Sequence, residues 1–471
     1  LNNRELAKPS EILSAKFAHR PTAGQARLFD LFDDFLTDDK QEKKTLLIKG
    51  FAGTGKTSVV AALVQALPFF KLKSLMMAPT GRAAKVMTSY AARTGFTIHK
   101  VIYKQVADPS SGAMQFEKAK NYYKQTVFIV DEASMLSDDF GQNLLQDLID
   151  FVFQHPSNRL IMIGDVAQLP PVGSPNSPAL DGDYLRRHYR LHVAETLLTE
   201  VMRQDALSGI LYNATKLREE LSKEVFQVQF QTKGFTDFFK MTGERLEDGL
   251  RYAYQKFGVE DTTIICRSNK QAVQFNEYIR RAIHYYESEI EVGDMLMIVR
   301  NNYFYMEDSE RVGFLANGDF VEVMKIRNFE ELYGFRFATL ELRLLDYPDE
   351  PHFEAKIILD CLHAATPALT QEQNRSLYHQ VQEDYLDVAD KKERIRLIKK
   401  DPYLNALQVK FAYALTCHKS QGGQWKAVFV EQGYLKDEMV DKEYLRWLYT
   451  AVTRASEELY LVNFNASFFG T

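Results

Sequence analysis

The chain has 471 residues, of which 45% are hydrophobic and 26% charged, with a formal net charge of −5. That is ordinary for a folded globular protein with enough apolar material for more than one core, and two to four domains are expected. The acidic balance excludes a uniformly basic nucleic-acid coat protein, but not a locally basic groove. No apolar run approaches the length of a membrane span, and the charged N-terminal segment has no signal-peptide core. The chain begins without Met and reads as trimmed. Cys266, Cys361 and Cys417 stand far apart with no metal-type spacing, which predicts free thiols in a reducing, cytoplasmic setting.

Short apolar runs that end in polar or Gly-containing loops read as buried parallel strands. In the first half they are Thr45–Lys49, Ser74–Met77, Thr126–Val130 and Leu160–Ile163. Between the second and third, Val101–Val106 and Met114–Lys118 can pair around the turn signal Asp108–Gly112. The second half repeats the style, with a strand at Thr262–Cys266, a helix at Asn269–His284, and strands at Val409–Leu415, Ala427–Glu431 and Leu459–Val462. Interposed is a different stretch. Its Gly318–Met324 alternates as β-structure does, and its Gln371–Lys400 is charged and helical in character. The reading is α/β: a first parallel-sheet unit over 1–190, a second over 191–289 and 406–471, and a β-rich insertion over 290–405.

Residues 50–57 read GFAGTGKT, the pattern G-x-x-x-x-G-K-[ST], after an apolar strand and before an Ala-rich helix, Ser58–Leu67. That context makes a phosphate-binding loop. Gly50 and Gly55 let the backbone wrap, so that N–H groups from Ala52 to Ser58, with Gly53 and Thr54 in the bend, face phosphate oxygens. The helix N-terminus adds its positive end. Lys56 is then the cation for the β- and γ-phosphates, and Thr57 a ligand for Mg²⁺. Residues 127–135, VFIVDEASM, put Asp131 at a strand tip as the second Mg²⁺ contact. Glu132 beside it is placed to polarise the attacking water. ATP and Mg²⁺ are the expected cofactors.

Further motifs follow in fixed order: QARLF at Gln25, APTGRAAKVM at 78–87, TIHK at 97–100, GDVAQLPPVG at 164–173, VMRQ at 201–204, TCHKSQGGQW at 416–425 and YTAVTRA at 449–455. Together with the phosphate loop they resemble superfamily 1 helicases of the 5′-to-3′ branch, the group of the Dda and RecD-like DNA helicases. The resemblance implies two RecA-like motor domains. The segment 101–123 would be a small wedge hairpin in the first, and the insertion an SH3-like barrel in the second. It implies that Gln25 reads the adenine edge and Gln168 senses the γ-phosphate. Arg203 and Arg454 would reach that phosphate from the second unit, and Gly422 and Gln424 would line the nucleotide site. Pro79, Thr80, Arg82, Thr97, His99, His418, Lys419 and Ser420 resemble positions that touch the nucleic-acid strand, contacts that grip phosphates without reading sequence. The branch commonly has Glu-Phe after its SQG motif, where this chain has Gln424 and Trp425.

The function so implied is an ATP-dependent DNA helicase moving 5′-to-3′ on single-stranded DNA and opening tailed duplexes. It would be a monomer without membrane attachment, meeting replication or recombination proteins. Two other readings share the motifs: a translocase that strips proteins from single strands, and a non-motor regulatory subunit of a recombination complex.

Overall fold

The structure is a computed structural model that describes residues 8–38, 41–91, 93–107, 114–138, 143–202, 208–306, 309 and 312–470. Its strands are, in chain order, β1 (Lys44–Gly50), β2 (Lys73–Ala78), β3 (Gly95–Thr97), β4 (Tyr103–Ala107), β5 (Met114–Lys118) and β6 (Thr126–Val130). Next come β7 (Arg159–Gly164), β8 (His192–Leu198), β9 (Phe238–Met241), β10 (Thr262–Cys266), β11 (Met295–Ile298) and β12 (Phe320–Leu332). The last are β13 (Phe335–Leu344), β14 (Phe353–Ile358), β15 (Leu407–Phe411), β16 (Ala414–Thr416), β17 (Trp425–Glu431) and β18 (Ala455–Val462).

Six strands form a parallel sheet in the order β3-β2-β6-β7-β1-β8. The central strands β6 and β7 are buried at every position, which is why their sequences are unbroken apolar runs rather than alternating ones. Successive side chains nevertheless go to opposite faces. Val127, Ile129, Ile161 and Ile163 pack under one group of helices with Phe29, Val60 and Met87. Phe128, Val130, Leu160 and Met162 pack under the other with Leu148 and Leu185. A second parallel sheet runs β16-β10-β17-β18-β9. Between β10 and β16 the chain builds a closed barrel, β11-β12-β13-β14-β15. The architecture is that of two RecA-like units with a barrel inserted in the second. Among the described residues no helix is long and apolar enough to cross a membrane.

Several expected boundaries move. The first sheet closes with β8 at His192, beyond residue 190, because β8 is an edge strand with alternating burial and lacks an apolar run. The run Val409–Leu415 is two strands. β15 closes the barrel, past residue 405, and after Ala412–Tyr413 the chain enters the second sheet as β16. Val101 and Ile102 are helical, not extended, because the Thr97 hydroxyl accepts from the Lys100 N–H and caps a short helix, Ile98–Ile102. β4 and β5 then pair from Tyr103 to Lys118; the turn Asp108–Gly112 lies outside the described residues. The helix from Asn269 ends at Tyr278 and widens into a π-turn, Ile279–Ile283. The charged stretch from Gln371 is two helices, Gln371–Glu383 and Lys391–Lys399.

The barrel is joined to the second sheet by a buried polar network. Arg280, in the π-turn, makes two 2.8 Å bonds to the Asp294 carboxylate, and the Tyr413 hydroxyl donates to Asp294 Oδ1 at 3.0 Å. Both partners of the ion pair are nearly inaccessible, 4% and 0% exposed. Removing one alone would strand a buried charge and cost about 3–5 kcal/mol.

The barrel also abuts the first unit at Gly81. A Cβ there would fall 2.1 Å from Asp319 Oδ1, so only glycine permits this approach. Burial, reinforced by the charge of Asp346, pushes the Asp319 carboxyl up to about 8, against the opposing pull of the Ala316 N–H. The folded protein thus holds a proton on Asp319 that the unfolded chain releases near its ordinary 3.8. This group's contribution to stability is full below that value, declines as pH rises, and is lost through about 8. Asp319→Asn should therefore gain stability over the parent, with the gain larger at about pH 9 than at about pH 6 in chemical denaturation. An equal difference at both pH values would contradict the assignment.

Candidate functional site

Strands β6, β7 and β1 are neighbours, so their carboxyl ends deliver three loops to one place, the usual ligand position of an open α/β sheet. The loop after β1 bends at Gly53 (φ +74°) and Gly55 (φ +77°) and runs straight into the helix Lys56–Ala66. Lys56 Nζ donates to the carbonyls of Gly50 and Phe51, both at 2.9 Å, which keeps the ammonium within the loop. Gln25 lies beneath it, fully buried. Its Nε2 donates to the Thr54 carbonyl at 3.0 Å, and its Oε1 accepts from the Thr22 N–H at 3.0 Å. One side chain therefore braces the loop and closes the cap of the helix Ala23–Thr37. A Cβ on Gly55 would come within 2.6 Å of Gln25 Nε2, so the brace and the glycine require each other.

The loop after β6 carries Asp131 and Glu132. Asp131 Oδ1 accepts from the Glu132 N–H at 2.8 Å, and Oδ2 accepts from the Tyr90 hydroxyl at 2.6 Å. Glu132 has φ +52°, a left-handed conformation rare for a residue with a Cβ. Burial pushes its carboxyl above the ordinary glutamate value, while the Arg454 guanidinium pulls the other way. Arg454 comes from the end of the helix Lys442–Val452 in the second unit. It is 4% exposed, with Nη1 3.9 Å from Glu132 Oε1 and 3.2 Å from the Gly423 carbonyl.

The loop after β7 carries Asp165 and Gln168. The Tyr449 hydroxyl donates to Asp165 Oδ2 at 2.6 Å and accepts from the Ala52 N–H of the phosphate loop at 2.9 Å. Asp165 is buried, which raises its carboxyl pKa despite the opposing charge of Lys56. Alongside, the Leu169 N–H donates to the Thr450 hydroxyl, and Gln421 Nε2 donates to the Leu169 carbonyl at 2.8 Å.

The cleft between these loops has a volume of about 510 Å³. Of the residues singled out from sequence, the run from Ala52 to Ser58, Asp131, Glu132, Gln168, Gly422, Gln424 and Arg454 all line it. Gly50 and Gln25 support it from behind, and Arg203 lies outside the described residues. Three further participants carry no sequence signature of their own: Tyr90, Asp165 and Tyr449. Asp165 and Tyr449 stand inside quoted motifs, and each is recognisable only through its partner in another loop.

The residues read as strand contacts divide in two. Pro79 and Thr80 are partly exposed, as are His99, His418 and Lys419. Burial lowers the pKa of both imidazoles, which favours their neutral form, and pushes Lys419 down to about 8. Lys419 Nζ donates to Asn317 Oδ1 at 2.6 Å. The others have internal tasks. Thr97 caps its helix, and Ser420 is fully buried with its hydroxyl donated to the Cys417 carbonyl. The Arg82 guanidinium lies 4.1 Å from the Trp425 ring centre and 4.7 Å from that of Phe320, and donates to the Gln424 carbonyl.

Tyr449→Phe tests the cross-cleft bridge. It leaves the Asp165 carboxylate and the Ala52 N–H each short of a partner, so stability should fall by about 1–3 kcal/mol and ATP turnover should fall with it. Parental stability and parental turnover together would show the bridge to be incidental.

The chain matches the AAA domain family over residues 37–174 and the UvrD-like helicase C-terminal domain family over 411–462. The ATP-dependent DNA helicase Dda of Enterobacteria phage T4 is 24% identical over 351 residues, covering 71% of this chain and 76% of Dda. The ATP-dependent RecD2 DNA helicase of Deinococcus radiodurans is 29% identical over 132 residues, 27% of this chain and 16% of RecD2. A Pif1 helicase from Bacteroides, solved with ADP-AlF3 and ssDNA, aligns over 96% of this chain and 95% of its own at 15% identity and a TM-score of 0.46. The matched families fall on the two halves of the cleft in the order that the motifs set out. The chain is thus similar to an AAA domain in its first unit and to a UvrD-like helicase C-terminal domain in its second, and it resembles the DNA helicases Dda and RecD2.

Proposed function

We propose that this protein is an ATP-dependent DNA helicase that translocates 5′-to-3′ along single-stranded DNA and opens tailed duplexes, with hydrolysis gated by closure of the cleft between its parallel-sheet units. The observation that carries the reading is Arg454. It is supplied by the second unit yet sits 3.9 Å from Glu132 of the first. The named activity of Dda and of RecD2 supports the same reading. In it, the first motor domain runs through β8 to Leu198, the barrel insertion runs from about residue 290 through β15 to Phe411, and the second motor domain comprises the segment between them and the chain from β16 onward.

Lys56 neutralises phosphate charge, and the loop amides orient the triphosphate. Thr57 and Asp131 are a hydroxyl and a carboxylate, the hard oxygen donors that Mg²⁺ takes when phosphate and water oxygens complete its shell. Mg²⁺ so held would neutralise charge on the β- and γ-phosphate oxygens. Glu132 accepts the proton of the attacking water as the oxygen bonds to the γ-phosphorus and the bond to the β-phosphate oxygen breaks. Gln168 is placed to sense the γ-phosphate. Arg454, with Arg203, stabilises the charge that builds on the transferring group, and does so only while the cleft is closed.

Arg454→Ala should lose about a thousandfold in DNA-stimulated turnover, as for other arginine fingers, while nucleotide affinity falls much less. Turnover within a few-fold of the parent would remove Arg454 from the mechanism. Because the Glu132 carboxyl is raised, it takes up its proton, and stops acting as a base, at a higher pH than an ordinary glutamate. The acid limb of the turnover profile should therefore lie above the ordinary value of 4.5. Glu132→Gln should bind ATP but not hydrolyse it; substantial turnover in that variant would assign the base elsewhere.

Polarity is tested with partial duplexes. A 5′ single-stranded tail should support opening and a 3′ tail should not; the reverse preference would place the protein with motors of opposite direction. Displacement of a bound protein without any duplex opening would favour the remodelling translocase.

A further inference from the structure

The helix Gly81–Ala91 starts among the residues read as strand contacts and ends beside the carboxylate assigned to Mg²⁺. Thr80 caps it: the hydroxyl accepts the Ala83 N–H at 3.2 Å and the carbonyl accepts the Ala84 N–H at 3.0 Å. Arg82, in its first turn, donates to the Gln424 carbonyl of the second unit. Gly422 of the same unit approaches closely, since a Cβ there would fall 2.8 Å from Ala83 Cβ and 3.1 Å from Thr80 Oγ1. Tyr90 stands near the other end, about 12 Å along the axis from Arg82.

Tyr90 lines the nucleotide cleft and donates its hydroxyl to Asp131 Oδ2 at 2.6 Å, the length of a charge-assisted bond. The other oxygen, Oδ1, accepts the Glu132 N–H at 2.8 Å. One donor on each oxygen fixes the plane of the carboxylate, and each oxygen keeps a lone pair for a cation. Partners that orient a metal ligand in this way govern metal affinity nearly as strongly as the ligand does. The Glu132 donor belongs to the same loop as Asp131, whereas the Tyr90 donor arrives from a different element. That element is packed along its length: Met87 and Ala91 share a core with Val59, Val60 and Leu63 of the helix Lys56–Ala66. A helix held in a close-packed interior transmits a displacement from one end to the other.

We infer that Tyr90 is a positioning residue that ties the metal-binding carboxylate to occupancy of the strand path, with the helix Gly81–Ala91 as the rigid link. A strand seated at Thr80, or the second unit pressed on Ala83, sets the helix. The helix then sets the angle at which Asp131 faces the cleft. Such a coupling is reciprocal: the factor by which a strand tightens metal-nucleotide is the factor by which metal-nucleotide tightens the strand. The inference rests on the helicase reading for the strand and for Asp131 as a metal ligand.

The test reads binding rather than turnover. Affinity for a fluorescent, non-hydrolysable ATP analogue is measured in Mg²⁺ and in EDTA, with and without saturating oligo-dT, for the parent, Tyr90→Phe and Asp131→Ala. In the parent, Mg²⁺ should tighten the analogue, and oligo-dT should tighten it further by about fivefold or more. Anisotropy of labelled oligo-dT should show the same factor when Mg²⁺ and the analogue are added. Tyr90→Phe should keep the parental affinity in EDTA, which reports that it folds. It should lose about tenfold of the Mg²⁺ increment, and the oligo-dT enhancement with it. Parental increments in Tyr90→Phe overturn the inference alone, and so does equal weakening in Mg²⁺ and EDTA, which makes the tyrosine structural. Loss of the Mg²⁺ increment with the oligo-dT enhancement intact overturns the link through the helix, as does a parent that binds oligo-dT without any enhancement. A parental Mg²⁺ increment in Asp131→Ala overturns the assignment of Asp131 and the inference with it. A parent that does not bind oligo-dT overturns the helicase reading itself.

Discussion

One hydroxyl joins the two halves of the machine. Tyr449 belongs to the second unit, yet its oxygen accepts from the phosphate-loop amide of Ala52 and donates to the buried carboxylate of Asp165. Neither partner can be left unpaired cheaply in an interior position. The helix that carries Tyr449 also places Thr450 against the Leu169 amide and ends at Val452, two residues before Arg454. The position of Arg454 is therefore a consequence of a seam built on adjacent residues. In the proposed mechanism, a nucleotide that draws the loops together would tighten the same contacts that bring the arginine in. Binding at a small cleft would then become relative motion of two domains, since packed interfaces switch rather than bend.

The barrel is held to both units by charge placed out of water. Arg280, Asp294 and Tyr413 fix it to the second sheet. Arg82 of the first unit packs against Trp425 of the second unit and Phe320 of the barrel, so one guanidinium meets three parts of the chain. This gives the Gln424–Trp425 pair a physical meaning. The indole, 2% exposed, supplies a broad face for the cation, and the Gln424 backbone carbonyl takes one of its N–H groups. The Gln424 side chain stays exposed at the cleft.

The legible parts of the fold were those in which burial leaves a plain mark. β6, β7, β10 and β17 sit inside their sheets and read as apolar runs. β3, β8 and β9 carry no such mark, and each of them ends a sheet. Such strands are short or buried on one face, so their composition resembles that of loops. Val409–Leu415 misled for the opposite reason: two different sheets bury it in succession, and apolarity does not record the change. The phosphate loop, Asp131 and Glu132 were legible because their chemistry needs fixed residue types at fixed spacing. Tyr90, Asp165 and Tyr449 were not, because a hydroxyl or carboxylate that works through a partner from a distant segment leaves no local pattern. Gln25 was legible as a position, and the structure shows it bracing the phosphate loop.

The central claim is that nucleotide and strand together close the cleft and hold Arg454 at Glu132. The most direct measurement is the distance between spin labels at Lys124→Cys and Glu457→Cys, both exposed, one in each unit. The native Cys266, Cys361 and Cys417 are buried and should stay unlabelled. With a non-hydrolysable ATP analogue and oligo-dT the distribution should narrow to a single population that differs from that of the free protein, and Arg454→Ala should broaden it again. A distribution unchanged by nucleotide and strand, in a protein that still hydrolyses ATP, would contradict the account.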